Sequence, residues 1–396
     1  MKKFDVAVIG GGIIGSSIAY FLARSNKVGS VAVIEPDPTY RLAATPQGAG
    51  GVRQLFSLPE NIWMSRYSNR FYSDFPKTMT VKGYSADINF CHQGYLFLAG
   101  TQGAKQLEAN YRLQLKEGVQ VELLDRASLR ERFPSIGTDD VALACYSPED
   151  GWIDPNSALL SFRRKAKRLD ADYIESRVTA FEISKQRVKQ VHLEQGSSVW
   201  ADVFVIAAGA WAGDLAAMAG LLLPVKPYCR LQHYWRCLAQ FEPLPLIKDE
   251  SGLFFRPEGE GFVGGIPSWE IGPGFNFALE DGHFKGNLNG YFERVLWPLL
   301  AKRIPKFDAL RCERTWAGHY AQNMLDGNMI LGQCVGKVDN LYLACGFSGH
   351  GIMHAPAVGL ALSELILEGK YSTMDLERLS YQRVLDNNPY REEGII

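Results

Sequence analysis

Gly10, Gly12 and Gly15 fall in G-x-G-x-x-G spacing within Gly10-Gly11-Gly12-Ile13-Ile14-Gly15, and Glu35 stands twenty residues after the last of them. These residue types at this spacing suit a dinucleotide pyrophosphate. Gly10 permits a tight turn, Gly12 lets backbone approach a phosphate, and Gly15 lets a helix pack closely on a strand. A helix starting there offers free N–H groups and a positive dipole end to the phosphates. A carboxylate at Glu35 can accept hydrogen bonds from ribose hydroxyls, and it repels a 2′-phosphate, which disfavours NADP.

A second glycine turn, Gly346-Phe347-Ser348-Gly349-His350-Gly351, lies near the C-terminus, and a small-residue turn occupies Gly209-Ala210-Trp211-Ala212-Gly213. The helix after Gly351 could aim its positive end at a second anionic group. A reduced flavin carries such a charge, so two terminal glycine turns favour FAD over NAD. Between them lie side chains able to bind an anion or move a proton. Arg53 and Arg256 could each form a bidentate pair with a carboxylate or serve as an ordinary structural ion pair. His319 could accept a proton from a substrate, hydrogen-bond the flavin or rest satisfied in the core, and Tyr320 could shape the same pocket.

The elements that must position these residues follow from the apolar pattern. Phe4 to Ile9 is a short apolar run ended by glycine, as in a buried parallel strand, and the helix after it carries Ile18, Ala19, Phe21, Leu22 and Ala23. Val28 to Ile34 is the second strand. The loop from Arg41 to Ser57 is rich in Ala, Gly, Thr and Gln, small enough to approach a flat ligand closely. Helices are expected over 59–75, 105–116, 128–133, 156–169, 291–303 and 355–367. Strands are expected over 90–98, 202–208 and 341–345, with antiparallel strands over 175–194. Residues 221–320 alternate apolar runs and turns, which reads as a sheet.

The 396 residues, 46% hydrophobic and 21% charged with a net charge of −1, suit a globular chain of two domains. No long basic run marks a nucleic-acid partner. The seven cysteines show no CxxC, and the histidines lack shared metal-ligand spacing, so no disulfide framework or metal site is expected. The N-terminus reads as a strand and not as a signal peptide, no apolar stretch reaches the length of a membrane span, and a cytoplasmic location is expected.

Gly10-Gly11-Gly12-Ile13-Ile14-Gly15, Val205-Ile206-Ala207-Ala208-Gly209-Ala210-Trp211 and Gly346-Phe347-Ser348-Gly349-His350-Gly351 together resemble the D-amino-acid oxidase superfamily, in its sarcosine oxidase and glycine oxidase branch. The likeness keeps the family's order and runs nearly end to end. It implies an α/β, α+β architecture: a glutathione-reductase-type FAD-binding Rossmann domain interrupted by an antiparallel-sheet substrate domain. The expected division is 1–80, 145–220 and 325–396 for FAD, and 81–144 and 221–324 for substrate. The resemblance implies oxidation of a small amine or amino acid to the imine by hydride transfer to flavin N5. By motif match, Gly10, Gly12, Ile13, Ile14, Gly15, Glu35, Pro36, Ala44, Thr45, Gln47, Gly48, Val178, Ala208, Gly209, Trp211, Gly346, Phe347, Ser348, Gly349, His350, Gly351 and Ile352 would line FAD.

The chain departs from that pattern in three places. Monomeric sarcosine oxidases tether flavin through a cysteine upstream of a Thr-Pro-Asp-like segment. Here Asn323-Met324-Leu325-Asp326 occupies the segment, His319 falls near the tether position and Cys312 lies seven residues earlier, so FAD is expected to be non-covalent. Met353 stands where those oxidases carry a carboxylate-binding lysine. Gly261-Phe262-Val263-Gly264 stands where they carry the lysine that activates oxygen. A dehydrogenase that passes electrons to a protein or a quinone is therefore favoured over an oxidase. Loss of both lysines also raises a different reading, a flavoprotein of assembly or electron carriage with no small substrate of its own.

Overall fold

The computed structural model describes residues 3–267, 272–276 and 290–395, so part of the sheet expected over 221–320 lies outside the described residues. Two large sheets organise them. In the first, strands run Ile330–Cys334, Val338–Cys345, Ser198–Ile206, Lys3–Ile9, Val31–Glu35, Asp172–Glu175, with Val178–Ser184 and Arg187–Leu193 appended as an antiparallel pair. Its centre is parallel: Val6, Ala7, Val8 and Ile9 pair with Val31 to Ile34 on one side and with Val203 to Ile206 on the other. Runs of Val, Ile and Ala suit strands buried on both faces. One face is covered by the helices Ile13–Arg24, Pro59–Ser73, Pro155–Arg168 and Gly351–Glu368, whose apolar side chains join the largest core cluster.

The second sheet has the order Leu310–Asn323, Val225–Cys237, Gly261–Gly265, Phe254–Glu258, Leu246–Asp249, Tyr95–Ala99, Leu143–Ser147, Glu122–Leu124. It is antiparallel, as expected, at every pairing but one: Leu246–Asp249 runs parallel to Tyr95–Ala99. Those strands come from two distant chain segments, so no tight hairpin has to join them and antiparallel pairing is not imposed. Leu143–Ser147 belongs whole to this second sheet and straddles the expected boundary at 144/145.

One correction concerns hydropathy. Gly351–Glu368 has 18 residues and is long and apolar enough to cross a membrane by composition. It packs on the first sheet beside Ile13–Arg24 and Pro59–Ser73, with Ala355, Ala357, Val358, Ala361 and Leu362 fully buried. Burial on several sides makes a core helix apolar all round. It stops where expected, at Gly369 in the left-handed conformation (φ 72°).

Candidate active site

A cavity of about 700 Å³ lies between the two sheets, within the roughly 300–1,000 Å³ range of small-molecule and cofactor sites. The first glycine turn forms one end. Gly10 has φ 105°, and a Cβ there would sit 2.5 Å from the Ala207 carbonyl oxygen, so only glycine fits where the two central strands end side by side. A Cβ on Gly15 would meet the Gly10 carbonyl oxygen at 1.8 Å, which fixes how closely the helix lies on the strand. A Cβ on Gly12 would meet nothing within 4 Å, because that position opens on the cavity. Backbone is brought close and space is left beside it, a geometry suited to a phosphate.

Glu35 ends the second strand in the cavity wall. Its carboxylate accepts from the Gly11 N–H at 2.7 Å and the Asp37 N–H at 3.0 Å, which fixes its direction. Burial pushes its carboxyl above the ordinary value, against the lowering effect of those two N–H groups. Pro36 and Val178 continue the wall at this end, and Ala44, Thr45, Gly48, Ala208, Gly209 and Trp211 line it further along. Gln47 does not reach it. Its side chain donates to the Arg41 carbonyl and its own carbonyl accepts from the Trp316 indole at 3.1 Å, so it ties the loop to the second sheet.

The second glycine turn closes the other side. Phe347, Ser348, Gly349, His350, Gly351 and Ile352 line the cavity. Gly346 does not; with φ 71° it shapes the turn and packs on Asn323 and Val225. Gly349, at φ 97°, would place a Cβ 2.6 Å from the Tyr320 ring, so this turn and the second sheet are fitted to each other. The N-terminus of Gly351–Glu368 faces the cavity without a side-chain cap, leaving its N–H groups for a bound anion.

His350 contacts Arg53, with Nε2 3.3 Å from a guanidinium nitrogen. Arginine can only donate, so Nε2 accepts and the proton sits on Nδ1. Burial and then the Arg53 charge hold this imidazole well below its usual pKa, in the neutral form. The Arg53 guanidinium also donates to the Leu55 carbonyl at 3.3 Å and lies 4.4 Å from the Phe56 ring centroid and 4.9 Å from that of Phe97. Glu392 and Asp150 supply negative field around it. Asp150 is buried and accepts twice from Gln54, at 2.9 Å each, and burial pushes its carboxyl up to about 6.

Of the four residues expected to handle substrate, Arg53 and Tyr320 line the cavity and Arg256 and His319 do not. Arg256 donates to the Ala49 carbonyl at 2.7 Å, to Pro257 and to Glu258 in an ion pair, which is the structural alternative. His319 is carried to the opposite face of its strand from Tyr320 by the two-residue alternation of side chains. There its Nε2 accepts from the Asn276 N–H at 2.9 Å and its ring lies 5.3 Å from Phe275. Cys312 is likewise outside the cavity wall, hydrogen-bonded to the Arg314 carbonyl and Thr315.

The structure adds residues that sequence reasoning missed. Lys248, Arg230, Gln232, Tyr95 and Glu392 all line the cavity. Lys248 and Arg230 had a faint signal, a cation following apolar residues within a strand-like run (Leu246-Ile247-Lys248 and Tyr228-Cys229-Arg230). Glu392 had none: it arrives from the C-terminal tail, where it accepts from Ser57 and from Asn61 at 2.6 Å.

A cavity with a glycine turn open to it at one end, an uncapped helix N-terminus at the other and cations on a facing sheet fits a flavin dinucleotide. The sequence profile described as FAD dependent oxidoreductase matches residues 5–365, and the chain belongs to that family, the D-amino-acid oxidase type. FAD is its cofactor. It is 37% identical over 433 residues to FAD-dependent oxidoreductase domain-containing protein 1 of Xenopus laevis, covering 100% of this chain and 85% of that protein. It is 27% identical over 393 residues to the glycine oxidase of Geobacillus kaustophilus, covering 96% of this chain and 97% of that enzyme. The crystal structure of L-proline dehydrogenase from P. horikoshii superposes with a TM-score of 0.86 at 29% identity, covering 98% of this chain and 100% of that one.

Proposed function

We propose that this chain oxidises a small primary or secondary amine, or an amino acid of glycine or sarcosine size, to its imine. FAD, when bound, supplies the hydride acceptor. The observation that carries the reading is the continuity of one cavity from the Gly12 cradle to the cation-bearing wall at Arg230 and Lys248. A substrate entering the second-sheet side would stand in the same enclosure as the cofactor, and a fixed near-attack position contributes much of such a reaction. An open cavity there favours turnover over a purely structural or carrier role.

The chain's own residues divide the work. Gly10, Gly12, Glu35 and the helix N-terminus at Ile13 would hold the adenine half of FAD, and the Gly349–Gly351 turn its other end. Tyr320 and Tyr95 wall the substrate side, and neutral His350 is oriented by Arg53. With Cys312 and His319 outside the wall, FAD is held without a covalent bond. Relatives are named as an oxidase and as a dehydrogenase. The family's oxygen-activating lysine is replaced here within Gly261–Gly264, which favours a dehydrogenase with a protein or quinone acceptor.

The experiment is an anaerobic visible spectrum titrated with free and N-methyl amino acids. Bleaching of the flavin band by one compound supports the reading, and the rate of recolouring in air separates oxidase from dehydrogenase. A bound flavin that none of the panel reduces would overturn it.

A further inference from the structure

We propose that Lys248 is the residue that holds the carboxylate of an amino-acid substrate, an assignment that rests on the amino-acid reading above. The strand Leu246–Asp249 alternates. Leu246 and Lys248 face the cavity, while Ile247 joins the core behind the sheet and Asp249 pairs with Arg303 on that far side. Both Asp249 oxygens are committed, one to Arg303 at 3.0 and 3.1 Å and the other to Ser251. Among the described residues, no carboxylate hydrogen-bonds or ion-pairs with the Lys248 ammonium. Such a group, half-buried in the cavity wall beside other cations, gains more from an arriving anion than a cation that already has a carboxylate partner.

The groups facing Lys248 from the packed elements point the same way. Arg53, from the loop after Val52, opposes its charge, and His350, from the second glycine turn, is held neutral beside it. Arg230 stands on the same cavity wall, and Tyr95 and Tyr320 are neutral there, with burial raising both. Glu392, the carboxylate in the wall nearest Arg53, is satisfied by Ser57 and Asn61. Arg53 itself is stacked on Phe56 and Phe97 and bonded to Leu55 and His350, which leaves it a poor candidate for a mobile ligand.

Burial, and then Arg53, lower the Lys248 ammonium to about 7. A carboxylate bound against it reverses that effect and draws a proton onto the amine. Binding of an anion therefore takes up a proton above about pH 7, and affinity falls as pH rises through that value, by up to about tenfold per unit.

The test uses the FAD-loaded protein and benzoate, a carboxylate with no hydride to give. Benzoate affinity is read from the flavin spectrum between about pH 6 and 9, and proton uptake by calorimetry in buffers of different ionisation heat. The expected result is uptake approaching about one proton per benzoate at about pH 8. Lys248→Met should weaken benzoate about tenfold or more at about pH 6 and abolish the uptake. Lys248→Arg should keep affinity but lose the uptake, since arginine does not titrate there; it also guards against a Met variant that fails to fold. Equal affinity and equal uptake in wild type and both variants would overturn the proposal, as would no benzoate binding by the wild type. If amines bleach the flavin while benzoate ignores Lys248, this assignment fails and the proposed function stands. If benzoate behaves as expected but no amine bleaches the flavin, the anion site stands and the function fails.

Discussion

The two sides of the cavity recognise by different means. The side built from the first sheet offers backbone: N–H groups at two helix starts, glycines that admit close approach, and one carboxylate fixed by backbone donors at 2.7 and 3.0 Å. The side built from the second sheet offers side chains, with Arg230 and Gln232 from one strand, Lys248 from another, Tyr95 and Tyr320 from two more. A backbone site needs consecutive residues of particular type and tolerates little change. A side-chain site can be rebuilt by single substitutions, which suits the half that must choose a substrate.

That contrast can be broken by experiment, and the largest effect is expected at Gly10. Gly10→Ala forces a Cβ to 2.5 Å from a carbonyl oxygen at φ 105°, which should cost several kcal/mol and yield protein that purifies without flavin. A yellow variant with an unchanged melt would refute the cradle. Arg53→Met comes next. It removes the donors to the Leu55 carbonyl and to His350 and the packing on Phe56 and Phe97, and about 1–3 kcal/mol of stability should go, read by thermal unfolding. If stability holds and only substrate KM rises, Arg53 is a binding residue after all.

Gly349→Ala sharpens the comparison, since it strikes where the two sides meet. Flavin should dissociate about tenfold more readily, and adding Tyr320→Ala should restore part of the loss by removing the ring at 2.6 Å. Lys248→Met should act on stability in the opposite sense to Arg53→Met. Lys248 has its folded pKa lowered to about 7, so the wild type carries the burden of the buried charge below that pH and sheds it as pH rises toward the ordinary lysine range. The variant's advantage in melting should be greatest below about pH 7 and shrink above it; an advantage that grew with pH would contradict the assignment. The smallest effects belong to Cys312→Ser and His319→Gln. Both variants should keep their flavin, and denaturation should release it into solution from wild type and variants alike. Flavin that stays with the wild-type polypeptide would show a covalent tether.

The legible and illegible parts of the site follow the same division. Gly10 to Gly15, Glu35, and the Phe347 to Ile352 turn were readable because each is a local run whose spacing is itself the chemistry. Gln47 and Gly346 belong to such runs but turn away from the cavity, since loop packing on Trp316 and on Val225 decides their direction. His319 and Tyr320 show the limit most clearly. They are neighbours in sequence, and one strand's alternation sends them to opposite faces. The parallel pairing of Leu246–Asp249 with Tyr95–Ala99 was hidden for a related reason: partners so far apart in the chain leave no turn signal.

The sequence by itself determined the dinucleotide cradle, the parallel centre of the first sheet and the family, because those depend on residue type at short range: glycine where no Cβ fits, apolar runs where both faces are buried. Only the tertiary structure decided which cations face the cavity. That choice depends on strand order and on which face each strand turns inward, and it joins residues as distant as Arg53, Arg230, Lys248 and Glu392 in one wall that no single segment encodes.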